Sequence, residues 1–336
     1  MLYKEIDTVE FDLNTVCNSY CPPCHRYIVQ DGELYHNPHV KLGVNLELDV
    51  IERVFENSRI AQDCFVDLVG LVGEPIAHPN FMEIIDIIYK HRPNAAINLH
   101  TNGGLRTEKM FYDLGQKFNK HSWIKFSLDG LEDTNGIYRI GVDYNKVIAN
   151  MKAFIDGGGR AIWKFVTFEW NKHQVEQAEA LSKEYGCYKF QQDWDVNDKM
   201  IDESMAAAQN KINHKVPADK GMRYSYGNNS TPKTYEIKDR CFTYKKIYVN
   251  AHGYVIPCCM FNGAFTYEVM REQTLNFVKE NREPYWNSLY HNNLETIMSD
   301  TWWQKLKDSF GDGNACDICI QECGVKNPHI NERYFD

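Results

Sequence analysis

Apolar and polar positions follow two rhythms over the first 200 residues. Short apolar runs at 10–14, 65–72, 95–99, 123–128, 162–168 and 188–192 read as strands. Between them, apolar residues recur at helical spacing over 46–57, 81–89, 146–155 and 175–185. Gly157-Gly158-Gly159 closes the third of these helices, and Gly186 the fourth. Strands alternating with helices predict βαβ units and a parallel sheet. Six such units predict an α/β fold built as a partial (β/α)6 TIM-like barrel, since a closed eightfold barrel takes about 250 residues. The rhythm then changes. Residues 205–212 read as a short helix, and 223–234 show no period, so 201–240 is a connecting segment. Residues 246–250 and 254–257 flank the turn Ala251-His252-Gly253 and predict a β-hairpin, and 294–309 predicts a helix. The expected organisation is a barrel at 1–200, a connector at 201–240 and a small α+β unit with the hairpin at 241–336.

The strands carry their chemistry at their carboxyl ends. There the chain places Cys17 to Cys24, Gly73-Glu74-Pro75, Thr101-Asn102-Gly103 and Ser127 to Gly130. Active sites of such sheets sit at these ends. The 336 residues carry a net charge of −9, which disfavours a nucleic-acid-binding face. No apolar run is long enough to span a membrane. The opening Met1-Leu2-Tyr3-Lys4-Glu5 lacks an apolar signal segment, so the expected compartment is the cytoplasm.

Eleven cysteines change the picture. In a reducing compartment, clustered thiols read as metal ligands or chemistry rather than disulfides. Cys64 and Cys187 stand alone beside strands and read as inert buried thiols. Cys17, Cys21 and Cys24 form a CX3CX2C run whose Pro22 and Pro23 require a loop. Three ligands on a four-coordinate centre leave one position open, the mark of a reactive site. Iron–sulfur clusters take cysteines at such short spacings. A zinc site with His25 as fourth ligand is the alternative.

The four strand-end signatures, in this order, resemble the radical S-adenosylmethionine (radical SAM) superfamily over about residues 8–192. The resemblance implies a 4Fe–4S cluster on Cys17, Cys21 and Cys24, its open iron chelated by SAM. It implies that Gly73 and Glu74 hold the SAM amino group, although Val72 replaces the usual first glycine. Ser127 and Asp129 match ribose contacts, with Asn102 nearby. Arg139 matches the residue that pairs with the SAM carboxylate, and Val166 packs on adenine, with Asn171 approaching it. Pro23 stands where an aromatic is common, and Tyr27 is the candidate to compensate. The implied reaction is reductive cleavage of SAM to a 5′-deoxyadenosyl radical that takes a hydrogen atom from substrate.

Cys241 and Cys258 flank the hairpin, and Cys316-Asp317-Ile318-Cys319 adds a CX2C loop. Four thiolates mean zinc or iron–sulfur. The pattern resembles the Twitch domain, a shortened relative of the SPASM domain, and implies one auxiliary 4Fe–4S cluster on Cys241, Cys258, Cys316 and Cys319. Cys323 is an alternative to Cys319. Cys258 and Cys259 point in opposite directions if the strand continues. A free Cys259 or Cys323 would suit hydrogen return to substrate.

The expected enzyme abstracts hydrogen from a small polar metabolite, with the auxiliary cluster as electron acceptor or conduit and flavodoxin or ferredoxin as electron donor. The short stretch before residue 10 has no room for a leader-peptide module, which tilts the expectation away from a peptide maturase or epimerase. A zinc-stabilised, non-catalytic binding protein is the alternative of another class. Gln191, Gln192, Asp193 and Asp195 are candidate mouth-lining groups. His100, His173 and His252 read as structural, and Trp302-Trp303 as a buried helix face.

Overall fold

The computed structural model describes residues 4–38, 40–193, 199–214, 236–262, 276–278, 282–312 and 314–324. Eight strands form one sheet: β1 (Ile6–Asp12), β4 (Ile60–Val69), β5 (Ala96–Thr101), β6 (Trp123–Ser127), β7 (Ala161–Val166), β8 (Lys189–Asp193), β10 (Lys246–Val249) and β11 (Val255–Ile256). The order is β11-β10-β1-β4-β5-β6-β7-β8. Six of these, β1 and β4 to β8, are parallel neighbours, as the alternating rhythm predicts. Helices α1 (Leu48–Glu56), α2 (Phe81–His91), α3 (Glu108–Lys117), α5 (Tyr144–Asp156) and α6 (Val175–Glu184) cover one face; α4 (Asn135–Tyr138) is a single turn.

Alternation along the strands decides what each face carries. Val9, Phe11, Val66, Leu68, Ile97, Leu99, Ile124 and Phe126 are fully buried on the helix side, against residues such as Phe55, Phe111 and Phe154. Each large side chain so buried stabilises the fold by roughly 1.5–3 kcal/mol. The opposite, concave face presents polar groups: Glu10, Asp12, Asp67, Asn98, His100, Lys125, Ser127 and Lys164.

The hairpin β10–β11 is present, but it continues the barrel sheet. β10 pairs in parallel with β1, and β11 is antiparallel to β10. A second sheet, β2 (Tyr27–Gln30), β3 (Glu33–His36) and β9 (Ile212–Asn213), rises from the first cysteine loop. Asp31-Gly32 turns that hairpin with both φ positive, +50° and +73°, as a two-residue primed turn requires. The helix predicted at 205–212 runs as α7 (Lys199–Asn210), followed by β9. Beyond α8 (Arg240–Thr243), the helix predicted at 294–309 is two: α9 (Leu294–Met298) and α10 (Thr301–Asp312). Asp300 Oδ1 accepts from Trp302 N at 2.7 Å and starts the second. The last helix, α11 (Asp317–Cys323), carries two of the late cysteines.

Candidate active site

The first cysteine loop leaves the end of β1 and is tied to three other segments of the chain. Thr15 N donates to Val44 O at 2.9 Å, Glu74 N to Val16 O at 2.7 Å, and Tyr20 N to Ile140 O at 2.9 Å. A Cβ on Gly73 would lie 2.0 Å from Asn14 O, so only glycine allows this approach.

Each of the first two sulfurs collects donors. Ser19 N and Asn102 Nδ2 face Cys17 Sγ at 3.4 and 3.6 Å. Ser19 Oγ lies 3.0 Å from Cys21 Sγ, and Arg139 Nη1 donates to it at 3.5 Å. Burial pushes the Cys17 thiol up to about 12. Among the described residues, the ligand atoms of Cys17, Cys21 and Cys24 do not all lie within 4.8 Å of one another.

Buried Arg26, which the sequence reading did not single out, closes the loop from beneath. It donates to Cys17 O at 3.3 Å and to Ser19 O, and Cys24 and Cys17 are its strongest electrostatic partners. Its Nε is buried with no partner among the described residues. The signal was a charged residue two positions after the third cysteine. His25 is half-buried, and desolvation lowers its imidazole below the ordinary value.

Glu74 is buried at the end of β4. Its Oε2 accepts from Asn102 N at 2.8 Å, while Oε1 is buried and unpaired. Burial raises this carboxyl to about 7 against hydrogen bonds from Asn102 and Thr101 that pull it down. An orphan acceptor on a buried acid is what an incoming ammonium would satisfy.

Arg139 pairs with fully buried Asp129, Nε to Oδ2 at 2.6 Å. Asp129 Oδ1 accepts from Val166 N at 2.8 Å, so both oxygens are engaged inside the protein. Asn171 Nδ2 donates to Asp129 O and Val166 O at 2.8 and 2.9 Å and clamps β6 to β7. Ser127 ends β6, half-buried. The ring of Tyr27 lies against Tyr20 and His36. Gln191 Nε2 donates to Asp193 Oδ1 at 3.1 Å and Gln192 Nε2 to Thr167 Oγ1 at 3.0 Å. Asp195 lies outside the described residues.

The late cysteines also gather. Cys316 Sγ and Cys319 Sγ are 3.5 Å apart. Cys258 and Cys323 lie within electrostatic reach of Cys241, and Cys258 and Cys241 within reach of Cys319. Burial raises the thiols of Cys241, Cys258 and Cys323. Cys259 is placed differently: after Cys258, its electrostatic neighbours are Glu10, Lys246 and Asp12 of the concave face. Cys64 is buried in the core, and Cys187 Sγ meets Met151 Sδ at 3.7 Å.

Residues 13–177 match the family model of the radical SAM superfamily. A stretch of 130 residues, 39% of this chain, is 22% identical to a cofactor-modifying protein for tungsten-containing aldehyde ferredoxin oxidoreductase of Pyrococcus furiosus, and spans only 33% of that protein. The fold is similar to Streptococcus suis SuiB bound to S-adenosylmethionine (TM-score 0.56, 14% identity, 94% of this chain and 72% of that one). It is also similar to anSMEcpe with bound AdoMet (TM-score 0.56, 15% identity, 94% and 85%). The chain therefore carries a radical SAM domain over residues 13–177, which supports an iron–sulfur enzyme. The reading as a non-catalytic zinc protein is set aside by this match. Among the described residues no helix is long and apolar enough to cross a membrane.

Proposed function

We propose that this enzyme uses SAM to abstract a hydrogen atom from a small polar metabolite, in a dehydrogenation or related oxidation or rearrangement. The observation that carries the reading is the convergence of three thiols, an orphan Glu74 acceptor and the Arg139 guanidinium at adjoining strand ends. Cys17, Cys21 and Cys24 would hold a 4Fe–4S cluster. With SAM, that cluster supplies a 5′-deoxyadenosyl radical when reduced by a one-electron donor such as flavodoxin or ferredoxin.

The chain's own groups orient the cofactor. Glu74 Oε1 would accept from the SAM ammonium, backed by Gly73, and Arg139 would pair with its carboxylate. Asp129 holds that guanidinium and Val166 N through its two oxygens, and with Ser127 it would supply the ribose contact the resemblance implies. Asn102 and Ser127 remain as polar contacts, and Val166 as the apolar surface for adenine. Cys241, Cys258, Cys316 and Cys319 would hold one auxiliary 4Fe–4S cluster, with Cys323 the alternative to Cys319. Fully ligated, it would serve as electron acceptor or conduit. Cys259, set toward the concave face, suits hydrogen return in an epimerisation; an unchanged product from Cys259→Ala would sink that variant of the reaction.

SuiB has also been solved bound to its precursor peptide, which keeps a peptide-modifying reaction as the second reading. The deciding experiment is anaerobic iron and sulfide analysis followed by incubation with SAM and dithionite. The proposal expects about eight iron per chain and 5′-deoxyadenosine. Intact SAM with a fully iron-loaded protein would overturn it.

A further inference from the structure

The inside of a (β/α) barrel is ordinarily filled by branched apolar side chains. Here the concave face of the sheet is polar along several strands. Its groups are mostly matched. Lys164 pairs with Asp193 at 3.0 Å, and Lys246 with Glu10. Tyr248 Oη donates to Asp12 Oδ2 at 2.5 Å. Asn98 Nδ2 donates to Asp67 Oδ1 at 2.7 Å and reaches His100 Nε2 at 2.8 Å.

Three groups are not matched. Among the described residues the Lys125 ammonium has no hydrogen-bond or ion-pair partner, although Asp67 and Asp193 are within electrostatic reach. Asn98 is 4% exposed, and its Oδ1 is buried without a donor. Trp123 Nε1 is buried without an acceptor. Asn98 and Trp123 are register partners on β5 and β6, and His100 and Lys125 are the next pair on the same face. An orphan acceptor beside an orphan donor, one pleat from a cation without an ion-pair partner, defines the chemistry of a ligand. A hydroxyl both donates and accepts, so one hydroxyl satisfies Asn98 and Trp123 together. A carboxylate satisfies Lys125.

The location fits the reaction. His100, Lys125 and Lys164 each precede a strand-end position of the cofactor site, Asn102, Ser127 and Val166, by two residues. Two residues along a strand return to the same face about 7 Å away. His100, Lys125 and Lys164 thus form the layer directly beneath the proposed SAM contacts, and Asn98 and Trp123 the layer below that. The rim of this polar ring is solvent-accessible: the side chains of His100, Asp67, Lys164 and Asp193 keep 27%, 22%, 19% and 21% of their surface accessible. Desolvation and the flanking Lys125 and Lys164 bring His100 down to about 3, so the imidazole is neutral and adds no charge to the ring.

We infer that the concave face is the substrate site and that it takes a small hydroxycarboxylate, its carboxylate on Lys125 and its hydroxyl between Asn98 Oδ1 and Trp123 Nε1. The word substrate rests on the radical reaction proposed above; the binding does not.

The test is chemical footprinting of the wild-type holoenzyme under anaerobic conditions. Acetic anhydride acylates free lysines, and peptide mass analysis reads Lys125 against exposed Lys109 and Lys183 as internal standards. Glycerate, propionate, glycerol, glycerol 3-phosphate and the tripeptide Gly-Asp-Gly are the probes. Glycerate should protect Lys125, slowing acylation about threefold at twice its Kd. Propionate should protect less at equal concentration, and glycerol not at all. A Lys125 that is never acylated, or is equally labelled with and without glycerate, overturns the site. Stronger protection by glycerol 3-phosphate than by glycerate overturns the carboxylate in favour of a phosphate. Stronger protection by the tripeptide overturns the small molecule in favour of a peptide side chain. The same preparation is assayed for 5′-deoxyadenosine. Protection without 5′-deoxyadenosine retires the radical reading and keeps the anion site; 5′-deoxyadenosine without protection does the reverse.

Discussion

The two cysteine regions of this chain are built on different plans. Around the first, protein donors from three segments, Ser19, Asn102 and Arg139, point at the sulfurs. Buried orphan atoms remain nearby on Arg26 and Glu74. Around the second, Cys241 lies within electrostatic reach of Cys258 and Cys323, Cys319 of Cys258 and Cys241, and Cys316 meets Cys319 at 3.5 Å. A site that must admit a ligand keeps an open position and unspent hydrogen bonds; a site that only holds a centre closes upon it. On that criterion the first region corresponds to the reactive centre proposed above and the second to the proposed closed one.

The largest expected effect separates the regions outright. Replacing Cys17, Cys21 and Cys24 together by alanine should abolish 5′-deoxyadenosine formation while about four iron per chain remain. Replacing Cys241, Cys258, Cys316 and Cys319 should remove the other four or so and leave SAM cleavage measurable. If both variants lose all iron, the two sites are not independent. Next comes Arg139→Gln. Loss of a charge-assisted contact costs about 1.5–3 kcal/mol, so equilibrium dialysis should show SAM binding at least about tenfold weaker. The same change strands Asp129 and should lower stability by about 3–5 kcal/mol in denaturant unfolding.

A smaller effect is expected at Arg26. Removing a buried cation beside the thiols by Arg26→Met should make the first cluster harder to reduce. Potentiometric titration followed by electron paramagnetic resonance should then find a more negative midpoint, with Arg26→Lys closer to wild type. The smallest is a pH effect. Burial raises Asp67 from 3.8 to about 7 in the folded chain. The folded state then holds a proton that the unfolded chain has released, so this carboxyl's contribution is present below pH 4 and is lost as pH rises through 7. Asp67→Asn keeps the shape and removes the titration. Its stability relative to wild type should rise by about 1–3 kcal/mol between pH 4 and pH 8 in urea unfolding. A constant difference across that range would show that Asp67 does not titrate in this window.

Much of the barrel was legible because its signals are local. Each predicted parallel strand reappears within a few residues of its expected bounds, since apolar runs and glycine stops act over short stretches. Two local elements were nevertheless passed over. Asp31-Gly32 is a hairpin signal, and Thr107 caps α3, accepting from Met110 N at 3.4 Å. The hidden part was non-local. Nothing near residues 246–249 announces that this strand will lie beside β1. The candidate site divides the same way. The cysteine loop and Glu74 are motif-borne, whereas Arg26, the engagement of Asp129 by Arg139 and the ring of Lys125, Asn98 and Trp123 depend on which strands become neighbours. Strand alternation puts Lys125 and Lys164 opposite the core, but only the neighbouring strands decide which cation finds a partner.

The parallel pairing of β10 with β1 also bears on how the chain comes into being. Tyr248 and Asp12, joined by a hydrogen bond, stand 236 positions apart. A chain synthesised from its amino end must therefore complete β1 and the rest of the barrel long before the strand that borders β1 leaves the ribosome. Until then, one edge of β1 waits with its backbone donors and acceptors open, a template for any passing strand. The cysteine loop begins at the other end of that strand, so the nascent enzyme offers a raw edge and uncommitted thiols in the same interval.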